Sequence, residues 1–131
     1  MHAHRTRLAA AAAVLALAAP LAVTSSAEAG VQERRTISIE GVKTPTSKFF
    51  AKGEVMPSYA ERNAVMQRKL RGQATWRNDF RFQTGAQSKY RERIKPLKRI
   101  GTVCYRVKVA GSGDYRTSFS GRVCIRTFRR G

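Results

Sequence analysis

Beyond residue 35 the apolar positions recur with a period of two rather than three or four. Thr36-Ile37-Ser38-Ile39 alternates and is expected to stop at Gly41. Lys48–Met56 (KFFAKGEVM) is an apolar-rich stretch closed by Pro57-Ser58. Residues 60–70 carry respectable helix propensity, so Ala64–Leu70 reads as strand or helix. Gly72 interrupts that stretch and the pattern restarts at Thr75-Trp76, which favours strand and a hairpin. Trp76, Phe80 and Phe82 then alternate with Arg77, Asp79 and Arg81. Gly85–Ser88 reads as a turn, and Lys89–Ile94 places Tyr90 and Ile94 on one face. Pro96–Gly101 is a connection. Val103, Tyr105, Val107 and Val109 alternate with Cys104, Arg106 and Lys108, and Val123 and Ile125 alternate with Arg122, Cys124 and Arg126. Seven short strands at regular spacing, separated by turn signals, predict an all-β sandwich or barrel.

The first 29 residues follow another logic. A cationic start, His2-Ala3-His4-Arg5-Thr6-Arg7, leads into the apolar run Leu8–Ala19 and a small-residue stretch ending Ala27-Glu28-Ala29. This is the pattern of a secretory signal peptide, with cleavage expected near Ala29. The apolar run is shorter than the ~20 residues of a membrane span, so a retained anchor is the lesser alternative. The expected organisation is a signal peptide over 1–29, a flexible segment over 30–35, a β-sandwich over 36–128 and a tail over 129–131. No second apolar segment follows, and an exported, extracellular monomer is expected.

Two cysteines in an exported chain imply one disulfide, Cys104–Cys124. Both are equidistant from Asp114 within the turn-rich Ala110–Asp114 segment, so a simple hairpin centred there sets them opposite each other. Their neighbours are charged, which places the bridge on the solvent face. Closing a loop of about 20 residues stabilises by roughly 3 kcal/mol in the chain-entropy account. The alternative is a free reactive thiol pair or a metal pair, which CxxC spacing and histidine would have supported.

The runs Met66–Arg77, Lys89–Arg91, Gly101–Val109 and Gly113–Ser120 together resemble bacterial secreted immunoglobulin-like and fibronectin-III-like domains. Met66-Gln67-Arg68-Lys69-Leu70-Arg71-Gly72-Gln73-Ala74-Thr75-Trp76-Arg77 is similar to their L-Q-R-(x)-G-(x)-W hairpin. Lys89-Tyr90-Arg91, the Gly101–Val109 strand with its Tyr105-Arg106-Val107, and Gly113–Ser120 extend the resemblance in order over about residues 36–127. It implies a seven-stranded, two-sheet immunoglobulin-like β-sandwich, used in many such proteins as a spacer or adhesion module, and it implies no activity. Glu92 stands where that pattern has an apolar residue, and a bridge between neighbouring strands is not general in it.

Charge narrows the chemistry. The chain has 131 residues and a formal charge of +18. Residues 1–29 hold Arg5, Arg7, Glu28 and both histidines, so their removal lowers that charge by only one. It leaves no histidine for acid–base, nucleophilic or metal chemistry. Glu40, Glu54, Glu61, Asp79, Glu92 and Asp114 are dispersed and expected to pair with arginines. Gly111-Ser112-Gly113 lacks the lysine and helix of a phosphate loop, and no calcium loop fits. An enzyme, a cofactor and a metal site are not expected.

Basic clusters remain: Arg68-Lys69 with Arg71, Arg91 with Arg93 and Lys95, Lys98-Arg99, Arg106 with Lys108, and Arg122 with Arg126. Strand alternation puts Arg106, Lys108, Arg122 and Arg126 on one outer face, where adjacent cations repel and polyanions are attracted. Arg68, Lys69, Arg106, Lys108, Arg122 and Arg126 are therefore the candidate anion-binding residues. The expected function is a binding or adhesion module for anionic cell-wall polymers, acidic polysaccharide or extracellular nucleic acid, without specific nucleic-acid recognition. The alternatives are a structural or protein-binding module of inhibitor-like kind, and a membrane-active protein. The latter needs an exposed amphipathic face with large apolar residues, which the alternating strands do not offer.

Overall fold

The computed structural model describes residues 32–129. The signal-peptide reading and the last residues of the expected tail lie outside them. Among the described residues there is no helix. The chain runs through β1 (Glu33–Arg34), β2 (Thr36–Ile37), β3 (Glu40–Lys43), β4 (Phe49–Met56), β5 (Asn63–Leu70) and β6 (Arg77–Gln83). It continues through β7 (Lys89–Ile94), β8 (Gly101–Val109), β9 (Tyr115–Arg116), β10 (Ser118–Phe119) and β11 (Val123–Thr127). The all-β expectation stands, whereas the strand segments number more than seven.

Two antiparallel sheets carry the core. In one, β6, β5 and β8 lie side by side, and the far edge of β8 pairs first with β10 and then with β11. In the other, β4 is central, with β7 on one edge and β2 and β3 in succession on the other. β2 and β3 keep one register against β4. The strand expected to end at Gly41 thus runs through it to Lys43, with Gly41 paired to Ala51. Inward side chains of both sheets form one apolar cluster that includes Ile37, Ala51, Val55, Met66, Phe82, Tyr90, Ile94, Val103, Tyr105 and Val107. Two sheets sharing one core are consistent with a β-sandwich. Each fully buried Val or Met contributes roughly 1.5–3 kcal/mol, against the entropy of ordering it.

Local chemistry explains the joins. The β5–β6 turn is closed by the Gln73 amide donating to the Leu70 carbonyl, and Gly72 adopts φ 90° there, which side chains disfavour. At Gly53 the constraint is proximity. Tyr90, directly opposite, brings its hydroxyl to 2.8 Å from where a Cβ would lie and donates it to the carbonyl of Ser38, between β2 and β3. Burial raises the Tyr90 pKa, so this donor stays protonated.

Three expectations are corrected. The described part of the supposed flexible segment is paired: β1 runs parallel to β9, and Arg35 is only 8% exposed. Its amide donates to Ser118 Oγ and its Nη1 to the Pro57 carbonyl, while the guanidinium lies 4.8 Å from the Tyr59 ring and 4.2 Å from the Tyr115 ring. The final hairpin is not simple. β10 and β11 differ by one residue in register against β8, and Ser120 takes up the shift by bonding Val107 through both its amide and its hydroxyl. The acids are not paired with arginines: among the described residues one ion pair forms, Glu40–Lys52 at 3.8 Å, exposed and worth little.

Candidate cationic face on the five-stranded sheet

Cys104 and Cys124 are directly opposed on β8 and β11 and joined, as expected. The bridge lies on the outer side of the sheet. Cys124 is exposed there, but Cys104 is covered by its neighbours to 6% exposure, so only half the bridge meets solvent.

Pairing defines the rest of this outer face without ambiguity, since directly opposed residues share a side. Lys69 opposes Cys104, Arg106 opposes Gln67, and Lys108 lies between Val65 and Phe119. Arg81 opposes Val65 from β6, and Arg126 opposes Thr102 from β11. Every one of these cations therefore has a neutral residue directly across from it. The repulsion expected between adjacent cations is relieved by register rather than by acids. Arg122 is exposed directly before β11.

Arg106 is the centre of the face. Its guanidinium stands 4.5 Å from the Trp76 ring and 4.1 Å from the Phe119 ring, and its Nε donates to Gln67 Oε1 at 2.8 Å. Gln67 in turn donates through Nε2 to Asn78 Oδ1 at 3.0 Å. Lys69 Nζ lies 5.4 Å from the same Trp76 ring. Partial burial lowers the Arg106 pKa, yet a guanidinium keeps its charge at neutral pH. The result is a cation held rigid between two aromatic faces, with its outer donors available to an anion.

Trp76 is here because of a β-bulge. Met66 pairs with Phe80 but Gln67 pairs with Asn78, so Asp79 is the extra residue. The one-residue slip turns Trp76 to the outer face while Phe80 and Phe82 stay with the core. The single alternating face expected for all three aromatics is thereby corrected. The slip also removes the sheet's one acidic strand residue from the face. Asp79 lines a depression on the other side with Arg68, Lys95 and Tyr105. No carboxylate remains at the outer paired positions of β5, β6, β8, β10 or β11.

Arg68 goes with Asp79, not with Lys69. It opposes inward Tyr105, and its Nε is buried without a hydrogen-bond partner among the described residues. Burial raises the Tyr105 pKa, its hydroxyl donates to the Lys95 carbonyl, and Arg68 opposes the shift. Adjacent strand residues point to opposite faces, so the Arg68-Lys69 cluster is divided.

The outer face of the four-stranded sheet differs in sign pattern. There Lys52, Lys89, Arg91 and Arg93 are interspersed with Glu40 and Glu54. Among the described residues, no group of three or more His, Cys, Asp or Glu is placed to hold a metal ion, and no helix is long and apolar enough to cross a membrane. No family model, no curated protein and no solved structure matches this chain.

Proposed function

We propose that the chain is an exported, non-enzymatic binding or adhesion module of immunoglobulin-like type. It acts as a monomer and contacts anionic polymers through the outer face of its five-stranded sheet. The observation that supports this reading most is the asymmetry between the two outer faces. One mixes both signs; the other presents Lys69, Arg81, Arg106, Lys108 and Arg126 with no acid at its paired positions. Solubility alone does not require cations to be segregated in this way. A repeating polyanion such as a cell-wall polymer, an acidic polysaccharide or extracellular nucleic acid matches a rigid sheet with cations at strand spacing. Exposed Phe119 and half-buried Trp76 add flat apolar area without base-reading donors, which suits contact to the backbone of a polymer rather than to a sequence.

The test is a salt titration of binding to heparin, to a teichoic-acid polymer and to DNA. Counterion release predicts that log K falls linearly with log salt concentration. Absence of binding to all three at low salt would overturn the reading, as would an affinity independent of ionic strength.

A further inference from the structure

A second basic surface lies at the end of the fold where β5 ends and β8 begins, and it is amphipathic. A cleft of about 650 Å³ opens there between the Pro96–Gly101 connection and the end of β11. Its apolar part includes Leu70, Leu97, Ile100 and Phe128. Ile100 and Phe128 are 61% and 67% exposed, the two most exposed of the four large exposed apolar side chains among the described residues. Around them stand Arg71, Arg99, Arg126 and Arg129, and no carboxylate lines the cleft. Arg126 lies 4.9 Å from the Phe128 ring. None of the four forms an ion pair among the described residues.

We infer that this end docks on an anionic lipid bilayer, with Ile100 and Phe128 entering the acyl boundary and the four arginines meeting acidic headgroups. Two features favour a bilayer over a soluble ligand. The two most exposed apolar side chains stand at the rim of the cleft with most of their surface in solvent, as insertion requires and as enclosure does not. The arginines surround them, so aliphatic stems can follow the apolar side chains while the guanidinium groups stay at headgroup level. The face described above lacks this combination, since Phe119, with the Arg106 guanidinium 4.1 Å from its ring, has no second exposed large apolar side chain beside it. Arg126 borders both surfaces, and the bilayer site shares no other cation with the polymer-binding face.

The experiment is co-sedimentation of the disulfide-bonded protein with vesicles at 0.1 M salt, an ionic strength at which surface charges still act over about 10 Å. Phosphatidylcholine vesicles are compared with vesicles of phosphatidylcholine and phosphatidylglycerol. Binding to the anionic vesicles is expected to be at least tenfold the stronger. Each arginine near the surface is worth about fivefold, so Arg71→Gln with Arg129→Gln should weaken partition roughly 25-fold. Ile100→Ser with Phe128→Ser should weaken it about tenfold or more while leaving the denaturation midpoint unchanged, since both side chains are exposed. Lys69→Gln with Lys108→Gln should leave vesicle binding intact. The inference is overturned by equal binding to both vesicle types, by loss of binding in the Lys69/Lys108 variant alone, or by retention in the Ile100/Phe128 variant. Binding of monomeric octyl phosphate without any vesicle binding would also overturn it, in favour of a soluble amphiphile.

Discussion

Gly53 gives the sharpest test of the packing account. It lies on the inner side of β4, between buried Ala51 and Val55, with Tyr90 opposite on β7 and the Ser38 carbonyl close on the other edge. A Cβ at this position would fall on that carbonyl, 2.7 Å from its carbon and 2.8 Å from Tyr90 Oη, where ordinary contact begins near 3.4 Å. The first obstacle is backbone held in the sheet, since the Ser38 amide donates to the Glu54 carbonyl at 3.0 Å and Ser38 Oγ accepts from the Glu54 amide at 2.8 Å. Gly53→Ala must therefore push β4 and the Ser38 strand segment apart and break the hydroxyl bond from Tyr90. Overpacking costs about 1–3 kcal/mol and an unmet buried polar group about 1–3 kcal/mol, so a loss of roughly 2–6 kcal/mol is expected. Urea denaturation of Gly53→Ala measures it, with Gly85→Ala as control. The nearest neighbour of a Cβ on Gly85 is the Lys89 carbonyl at an ordinary 3.6 Å, so its stability should move by less than about 0.5 kcal/mol. A Gly53→Ala change no larger than that control would refute the close packing of β7, β4 and β2.

Two further perturbations follow from the same structure. Glu92 is half-buried opposite Ala51, and burial raises its pKa above the ordinary value. A raised carboxyl pKa means that the folded state holds the proton more tightly, so this contribution favours folding in acid and is lost as pH rises through the folded pKa. Glu92→Gln should accordingly raise the melting temperature at pH 7 and have little effect at pH 3; a gain equal at both values would contradict a burial origin. Replacing both Cys104 and Cys124 by Ala opens a loop of 20 residues in sequence separation and should cost about 3 kcal/mol in guanidinium unfolding. An unchanged midpoint would show that the bridge does not restrain the unfolded chain.

Legibility in the sequence tracks the range of the determining contact. β7 and β8 pair without slippage, so simple alternation places Tyr90, Ile94, Val103, Tyr105 and Val107 on the core side. The cysteine pairing is legible for a similar reason, because β11 and β8 are symmetric about Asp114 even though β9 and β10 intervene. Trp76 was not legible. Its face is decided by a bulge at Asp79 that exists only in the pairing with Met66 and Gln67. The docking of residues 33–35 depends on Tyr115, Arg116 and Ser118, some 80 residues onward, and no local pattern announces it. Nor could alternation disclose the exposed end, because Ile100 and Phe128 lie outside the strands and meet only through the fold.

The most direct test of the polymer-binding account changes equal charge on the two outer faces. Lys69→Gln, Arg106→Gln and Lys108→Gln remove three cations from the acid-free face; Lys52→Gln, Lys89→Gln and Arg91→Gln remove three from the mixed face. Both variants lose the same net charge, and binding of each to DNA is titrated against salt. The account predicts that the first variant loses affinity steeply and that its log–log salt slope falls by about one per lost phosphate contact, whereas the second keeps nearly the parental slope. Equal losses from the two faces would contradict it, because binding would then follow total charge and not the register-built face around Arg106.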